Sequence, residues 1–80
     1  MTGEERQLYI VSVVEAVYGK EAHEARVPPF EWGIVNSWMD REIPLRTVLQ
    51  AVEQMDRHPS IRYVREAVEL EETRRRRALM

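Results

Sequence analysis

The chain has 80 residues, the size of one small domain, with 32% charged residues and a formal net charge of −2. It has no cysteine, which excludes a disulfide framework, a thiolate nucleophile and a cysteine-ligated zinc site. The net charge provides no general attraction to nucleic acid. The apolar stretch from Leu8 to Val14 is too short to span a bilayer, so we expect a soluble protein of a reducing cytoplasm.

The first predicted helix runs from about Gly3 to Tyr18. Thr2 and Glu5 have the Thr-x-x-Glu spacing of a capping box, in which each side chain satisfies a backbone N–H of the other residue. Gly19 suits the position just after the helix, where a left-handed backbone conformation is common. The β-branched valines of this segment favour a strand, but the cap, the length and the lack of strict alternation favour a helix.

Apolar residues cover an unusually wide arc of this first helix. One face carries residues expected in the core, and an adjoining face carries Tyr9, Val13 and Ala16. Such an arc exceeds what one small core needs, so the helix is either central or contributes to a subunit contact. Under the second interpretation, Tyr9, Val13 and Ala16 are the partner-binding residues of a homodimer.

Prolines mark the predicted starts and ends of helices in the remainder of the chain. Pro29 suits the first position of a second helix at about 29–41, and Pro44 starts a third helix at about 44–57. Pro59 ends the third helix, and Ser60 is a suitable N-cap for a fourth helix at about 60–75. Residues 71–80 are expected to form a charged, frayed C-terminal extension of the same domain.

The sequence therefore predicts an all-α fold with a single domain, residues 1–80, built from four helices at about 3–18, 29–41, 44–57 and 60–75. Trp32 and Trp38 are both expected to contribute to the core, whereas stacking on bases or lining a ligand pocket is the less favoured alternative. The predicted core consists of Ile10, Val14, Val17, Ile34, Val35, Trp38, Leu45, Val48, Leu49, Val52, Ile61, Val64 and Val68.

Motifs for catalysis or metal binding are missing from the sequence. His23-Glu24 begins like the zinc-protease motif HExxH, but Val27 occupies the position of the second histidine. The serines occur in helix-surface or cap positions, and there is no glycine-rich phosphate loop. We therefore expect no enzyme, no cofactor and no metal site.

A nucleic-acid-binding module is the competing hypothesis. The second and third helices, joined by a short turn, are arranged like a helix-turn-helix, and the third helix presents polar side chains, Thr47 among them, that are suited to bases and phosphates. Acidic residues at Asp40, Glu42 and Glu53 oppose this interpretation. The candidate contacts are Arg46, Gln50, Gln54 and Arg57, together with the C-terminal run Arg74, Arg75, Arg76 and Arg77.

Two resemblances add expectations. The order Pro29-x-Glu31-Trp32-x-Ile34-Val35-x-x-Trp38, then Ile43-Pro44-Leu45-x-x-Val48-Leu49-x-Ala51-Val52, then Ser60-Ile61-x-Tyr63, resembles a short helical module of uncharacterised bacterial proteins. That module has serine where this chain has Pro28 and glycine where it has Glu42, which implies a weaker cap and a tighter or differently shaped turn. The tryptophan-bearing helix, the amphipathic helix and Ser-x-x-Tyr-Val also resemble the C-terminal module of DnaD-like primosomal proteins. That resemblance implies a role in replication and binding to single-stranded DNA and a helicase loader.

The sequence favours a non-enzymatic protein–protein interaction module that acts through an apolar helix surface, as a homodimer or with another protein. A small domain has a thin core, so association is a natural source of further stability.

Overall fold

The computed structural model describes residues 1–20, 27–55 and 60–79. These residues form four α-helices and no strand: α1 Gly3–Tyr18, α2 Pro29–Asp40, α3 Leu45–Glu53 and α4 Ile61–Leu79. The predicted all-α fold of four helices is confirmed. The third helix is shorter than predicted, because it ends at Glu53 and is followed by a turn at Gln54. Residues 56 and 57 and the partial motif at His23 lie outside the described residues. No helix within the described ranges combines the length and apolar character needed to cross a membrane.

Both ends of α1 follow the local sequence signals. The Thr2 hydroxyl accepts a hydrogen bond from the backbone N–H of Glu5 at 3.1 Å, which confirms the predicted N-cap. At the other end, the N–H of Gly19 donates to the carbonyl of Glu15 at 2.9 Å. Gly19 has φ = 96°, a conformation that glycine adopts without a steric penalty.

The turn between α2 and α3 is a Schellman motif. The N–H of Ile43 donates to the carbonyl of Trp38 at 2.9 Å, and the N–H of Glu42 donates to the carbonyl of Met39 at 3.0 Å. Glu42 has φ = 57°, so a glutamate occupies the left-handed position that glycine usually takes in this motif. The side chains of Trp38 and Ile43 are both buried, which supplies the apolar contact that accompanies such turns. Pro44 then precedes the first turn of α3.

The fourth helix differs from the prediction at both ends. It starts after Ser60 as expected, but the Ser60 hydroxyl is buried and makes no hydrogen bond to any described residue. Instead, the N–H of Ile61 donates to the hydroxyl of Tyr18 at 3.3 Å. The helix continues to Leu79, four residues beyond the predicted end at 75. Glutamate–arginine pairs within residues 71–76 stabilise this continuation.

The core lies where the four helices meet. The most extensive packing is between α3 and α4, and α1 packs against α2 and α3. Eight predicted core residues are buried, whereas five are only partly buried. The buried group is Val14, Val17, Val35, Trp38, Val48, Ile61, Val64 and Val68, and the partly buried group is Ile10, Ile34, Leu45, Leu49 and Val52.

The predicted partner-binding face of α1 requires a correction. Tyr9 and Val13 are 3% and 0% exposed, so they belong to the core rather than to an exposed face of α1. They are buried because α2 and α3 both pack on α1, and together they cover more of its circumference than one neighbouring helix would. Of the three predicted residues, only Ala16 is exposed.

Candidate functional site

An open groove of about 640 Å³ lies between the first half of α1 and the α2–α3 turn. We call it the α1 groove. The turn residues reach it because the Schellman motif reverses the chain directly after α2, bringing Ile43 and Pro44 next to Tyr9. The groove is lined by Met1, Glu5, Arg6, Leu8, Tyr9, Met39, Asp40, Glu42, Ile43, Pro44 and Leu45.

The floor of the α1 groove is apolar and fixed. Tyr9, Met39 and Ile43 are buried, and the Tyr9 hydroxyl donates to the carbonyl of Ile43 at 2.8 Å. Burial, with a smaller contribution from the carboxylate of Glu72, holds the pKa of Tyr9 well above its usual range. Tyr9 is therefore a neutral hydrogen-bond donor whose ring is held in place beneath the groove.

The edge of the groove combines an apolar ridge with charges. Leu8 is 64% exposed and Met1 is 60% exposed, and both line the groove. Arg6 lies 3.5 Å from the carboxylate of Asp40, and this exposed ion pair contributes at most about 1 kcal/mol to stability. The ridge beside an apolar floor is the feature of this groove that favours binding of another protein surface.

A smaller cleft of about 300 Å³ lies between α3 and the second half of α4, and we call it the arginine cleft. It brings together four of the eight residues predicted to contact nucleic acid, namely Arg46 and Gln50 from α3 and Arg74 and Arg75 from α4. Thr47 and Glu71 complete its lining.

The other four predicted contacts do not line this cleft. Gln54 is exposed directly after α3, and Arg76 and Arg77 are exposed in the last turns of α4. Arg57 lies outside the described residues. Of the predicted contacts among the described residues, the structure therefore brings Arg46, Gln50, Arg74 and Arg75 together in one cleft.

Glu72 neutralises much of the arginine run. It is buried, and its carboxylate accepts hydrogen bonds from Arg75 at 2.8 and 2.7 Å and from Arg76 at 3.0 Å. The hydrogen bonds from Arg75 contribute most to lowering the pKa of Glu72, which falls to about 2, and Arg76 contributes further. Arg74 pairs in turn with Glu71 at 3.1 Å. The sequence prediction missed the burial of Glu72, although Val64, Val68 and Glu72 follow each other at helical spacing on the inward face of α4.

A polar junction ties the opposite end of the bundle. The Tyr18 hydroxyl donates to the carboxylate of Glu31 and accepts from the N–H of Ile61. Glu31 is buried in the first turn of α2. Desolvation, followed by the hydrogen bond to Glu31, raises the pKa of Tyr18, so its hydroxyl remains protonated. One side chain from the end of α1 thus joins the starts of α2 and α4.

The described residues offer no group of three His, Asp or Glu side chains arranged to hold a metal ion. Burial is the largest cause of the raised pKa values of Tyr9 and Tyr18, and hydrogen bonds from Arg75 are the largest cause of the lowered pKa of Glu72. Perturbed pKa values of this kind can arise from structural networks as well as from active sites.

Comparisons with protein-family models, with curated protein sequences and with solved structures find no match to this chain. The two resemblances noted in the sequence therefore remain predictions, and the residues of the chain itself must support its functional assignment.

Proposed function

We propose that this chain is a non-enzymatic protein–protein interaction module of the cytoplasm, which forms a homodimer through the α1 groove. The observation that supports this proposal most directly is the exposed Leu8 side chain on an ordered helix, beside an apolar floor formed by Tyr9, Met39 and Ile43. Leucine gains on the order of 2 kcal/mol when it is fully buried, which a second molecule can supply here.

A second copy is the occupant that suits this surface. A two-fold axis places the same patch of both subunits in contact, so the patch must contain both a projecting group and a recess to receive it. The α1 groove contains both, because Leu8 and Met1 form a ridge and Tyr9 and Ile43 form the floor beside it. In the dimer, Leu8 of each copy enters the groove of the other.

The charges at the rim are also compatible with self-association. Arg6 lies among Glu5, Asp40 and Glu42, which all line the same groove. A two-fold axis brings Arg6 of one copy towards these carboxylates of the other, and opposite charges at an interface rim select the partner and its orientation. This arrangement moves the predicted contact from Tyr9 and Val13 to Leu8 and Met1, while the exposed Ala16 remains further along α1.

The test is the mass of the chain in solution, measured by multi-angle light scattering. Leu8→Asp places a charge on the ridge, and we expect it to convert a dimer into a monomer without loss of helical content, because Leu8 is 64% exposed in the single chain. Leu70→Asp is the matched control, since Leu70 is 53% exposed on α4 and is not part of the groove. We expect that variant to remain dimeric.

Two results would contradict the proposal. One is a wild-type chain that is monomeric at high micromolar concentration. The other is an equal loss of dimer in the Leu8 and Leu70 variants, which would show that any charge added to an exposed leucine weakens association. Circular dichroism of both variants ensures that the comparison concerns folded proteins.

A further inference from the structure

We propose that the arginine cleft is a binding site for one phosphate group, and that Arg46 is the residue that contacts it most directly. The cleft holds Arg46 and Gln50 on one side and Arg74 and Arg75 on the other. This inference is independent of the homodimer, because none of these residues lines the α1 groove.

Arg46 differs from the arginines around it. Arg41, Arg74, Arg75 and Arg76 each form an ion pair, whereas Arg46 is exposed and forms none with the described residues. Its planar guanidinium can donate two parallel hydrogen bonds to a phosphate, a geometry that the ammonium of lysine cannot provide.

Gln50 places a second donor beside Arg46. The two residues are four positions apart on α3, so their side chains lie next to each other on one helix face, and both line the cleft. The Gln50 amide supplies N–H donors that can bind a phosphate oxygen without adding charge.

The paired arginines keep free donors in position. Arg75 uses Nε and Nη2 to hold Glu72, and Arg74 uses Nη1 to hold Glu71. A guanidinium has five N–H donors, so each arginine retains N–H groups for a ligand. The carboxylates thus restrict the orientation of both arginines while reducing the net charge of the cleft.

This partial neutralisation favours one phosphate over an extended polyanion. Glu71 lines the cleft itself, Glu53 follows Gln50 on α3, and the whole chain has a formal charge of −2. A long strand would pass these carboxylates, whereas one phosphate can contact the free guanidinium alone. The volume of about 300 Å³ lies at the lower limit of small-molecule sites.

The experiment is a titration of the full ¹⁵N-labelled chain with inorganic phosphate, followed by amide chemical shifts at constant ionic strength. We expect saturable shifts confined to residues 46–50 and 71–75. Arg46→Gln should weaken binding by about tenfold, because it removes a charge-assisted contact. Arg65→Gln removes the same charge from an exposed position on α4 outside the cleft, and it should leave the affinity within about twofold.

Oligonucleotides with and without a 5′-phosphate distinguish the source of the phosphate. Binding of only the phosphorylated form indicates a terminal monoester. Binding of both, with a logarithmic salt slope of about −0.7 to −0.9, indicates one backbone phosphate, and binding of neither indicates the free ion. Each of these outcomes supports the site if inorganic phosphate also binds and Arg46→Gln weakens it.

Four results would overturn the inference. Inorganic phosphate could produce no saturable shift, or shifts spread over all the arginines. The Arg46 and Arg65 variants could lose affinity equally, which would mean that only net charge matters. A salt slope of several charges would replace the single site with an extended nucleic-acid surface along the C-terminal arginine run.

Discussion

Glu42 adopts a left-handed backbone conformation, with φ = 57°, at the end of α2. A side chain with a Cβ atom is disfavoured there by about 1–2 kcal/mol, because Cβ approaches the following carbonyl oxygen. The two hydrogen bonds of the Schellman motif and the buried Trp38–Ile43 pair keep the turn in this form nevertheless. A glutamate at this position therefore introduces strain within the turn.

We expect Glu42→Gly to stabilise the chain by about 0.5–1 kcal/mol, since the relief of strain exceeds the added entropy of the unfolded state. The measurement is urea unfolding followed by tryptophan fluorescence, which Trp38 reports from the core. All variants are compared in a chain that also carries Leu8→Asp, so that association does not contribute to the measured free energy of unfolding. Glu42→Ala is the control for the lost carboxylate, because it retains Cβ. Equal stabilisation by alanine and glycine would refute the strain explanation.

Glu31 and Glu72 show that a glutamate can be buried when it has hydrogen-bond partners. Both are glutamates on helix faces and both are buried. Glu31 is held by the Tyr18 hydroxyl, and Glu72 by two arginines within its own helix. Burial of a carboxylate is tolerated only with such partners. Arg76 lies four residues after Glu72 on the same helix face, whereas Tyr18 and Glu31 belong to different helices and meet only in the folded chain.

At the scale of elements, local signals place the helix starts more accurately than the ends. Thr2 caps α1 as predicted, and the prolines precede α2 and α3. The residue that bonds the first N–H of α4 is Tyr18, however, from a helix 43 residues away in sequence. A hydrogen bond to a distant helix cannot be predicted from the residues around the helix start. The local sequence therefore favours the nearby Ser60 hydroxyl for the capping role.

The C-terminal half of α4 extends further than predicted because Glu72 lies on its inward face. Residues 71–76 contain three glutamate–arginine pairs, and Glu72 participates in two of them. The inward position restricts water around the Glu72 carboxylate. Its ion pairs with arginine therefore stabilise the fold more than exposed ion pairs do. The length of the helix thus depends on a tertiary position as well as on charge spacing.

We expect Glu72→Gln to destabilise the chain by roughly 1–3 kcal/mol at neutral pH, because it removes the acceptor of charge-assisted hydrogen bonds at a buried site. Glu71→Gln is the matched control. It breaks a pair with Arg74, which is largely exposed, and should cost less than about 1 kcal/mol. Equal losses in the two variants, measured by chemical unfolding, would contradict the assigned role of Glu72.

The same pair predicts a pH dependence. Folding lowers the pKa of Glu72 from 4.5 to about 2, so its contribution to stability is complete above pH 4.5 and is lost as the pH falls towards 2. Thermal unfolding of the wild type should therefore show a larger drop in midpoint across this range than unfolding of Glu72→Gln. Parallel curves for the two proteins would show that other carboxylates cause the acid sensitivity.

At the scale of the whole molecule, the wide apolar arc of α1 is used mainly within the chain. Tyr9 and Val13 complete the core, and the turn residue Ile43 lies against the Tyr9 hydroxyl. What remains for a partner is the ridge of Leu8 and Met1 together with the groove beside it. The central position of α1 and a role in association are thus compatible, because they use different faces of the helix.

A homodimer implies that stability depends on protein concentration. Above the dissociation constant, each tenfold rise in concentration should raise the unfolding midpoint by about 3–5 °C, because association stabilises only the folded state. Circular dichroism melts at two concentrations measure this shift. The midpoint of Leu8→Asp should not change with concentration, whereas that of Leu70→Asp should follow the wild type. A concentration-independent midpoint in the wild type would contradict association through the groove.

The sequence alone determined the features that depend on neighbours along the chain. Four helices, the Thr2 cap, the Gly19 terminus and eight of the core residues follow from spacing and from the backbone properties of proline and glycine. These properties act over one or two helical turns, so their effects can be predicted without knowledge of the tertiary structure. The candidate residues Arg46, Gln50, Arg74 and Arg75 were also identifiable by type, although not as one cleft.

Only the tertiary structure decided which faces remain available. Tyr9 and Val13 are in the core and Leu8 is outside it because two helices, rather than one, pack on α1. The α1 groove exists because a Schellman turn brings Ile43 and Pro44 to a helix more than 30 residues earlier in the chain. The burial of a residue depends on contacts from every neighbouring helix. The angles at which those helices pack cannot be predicted from the periodicity of any single helix.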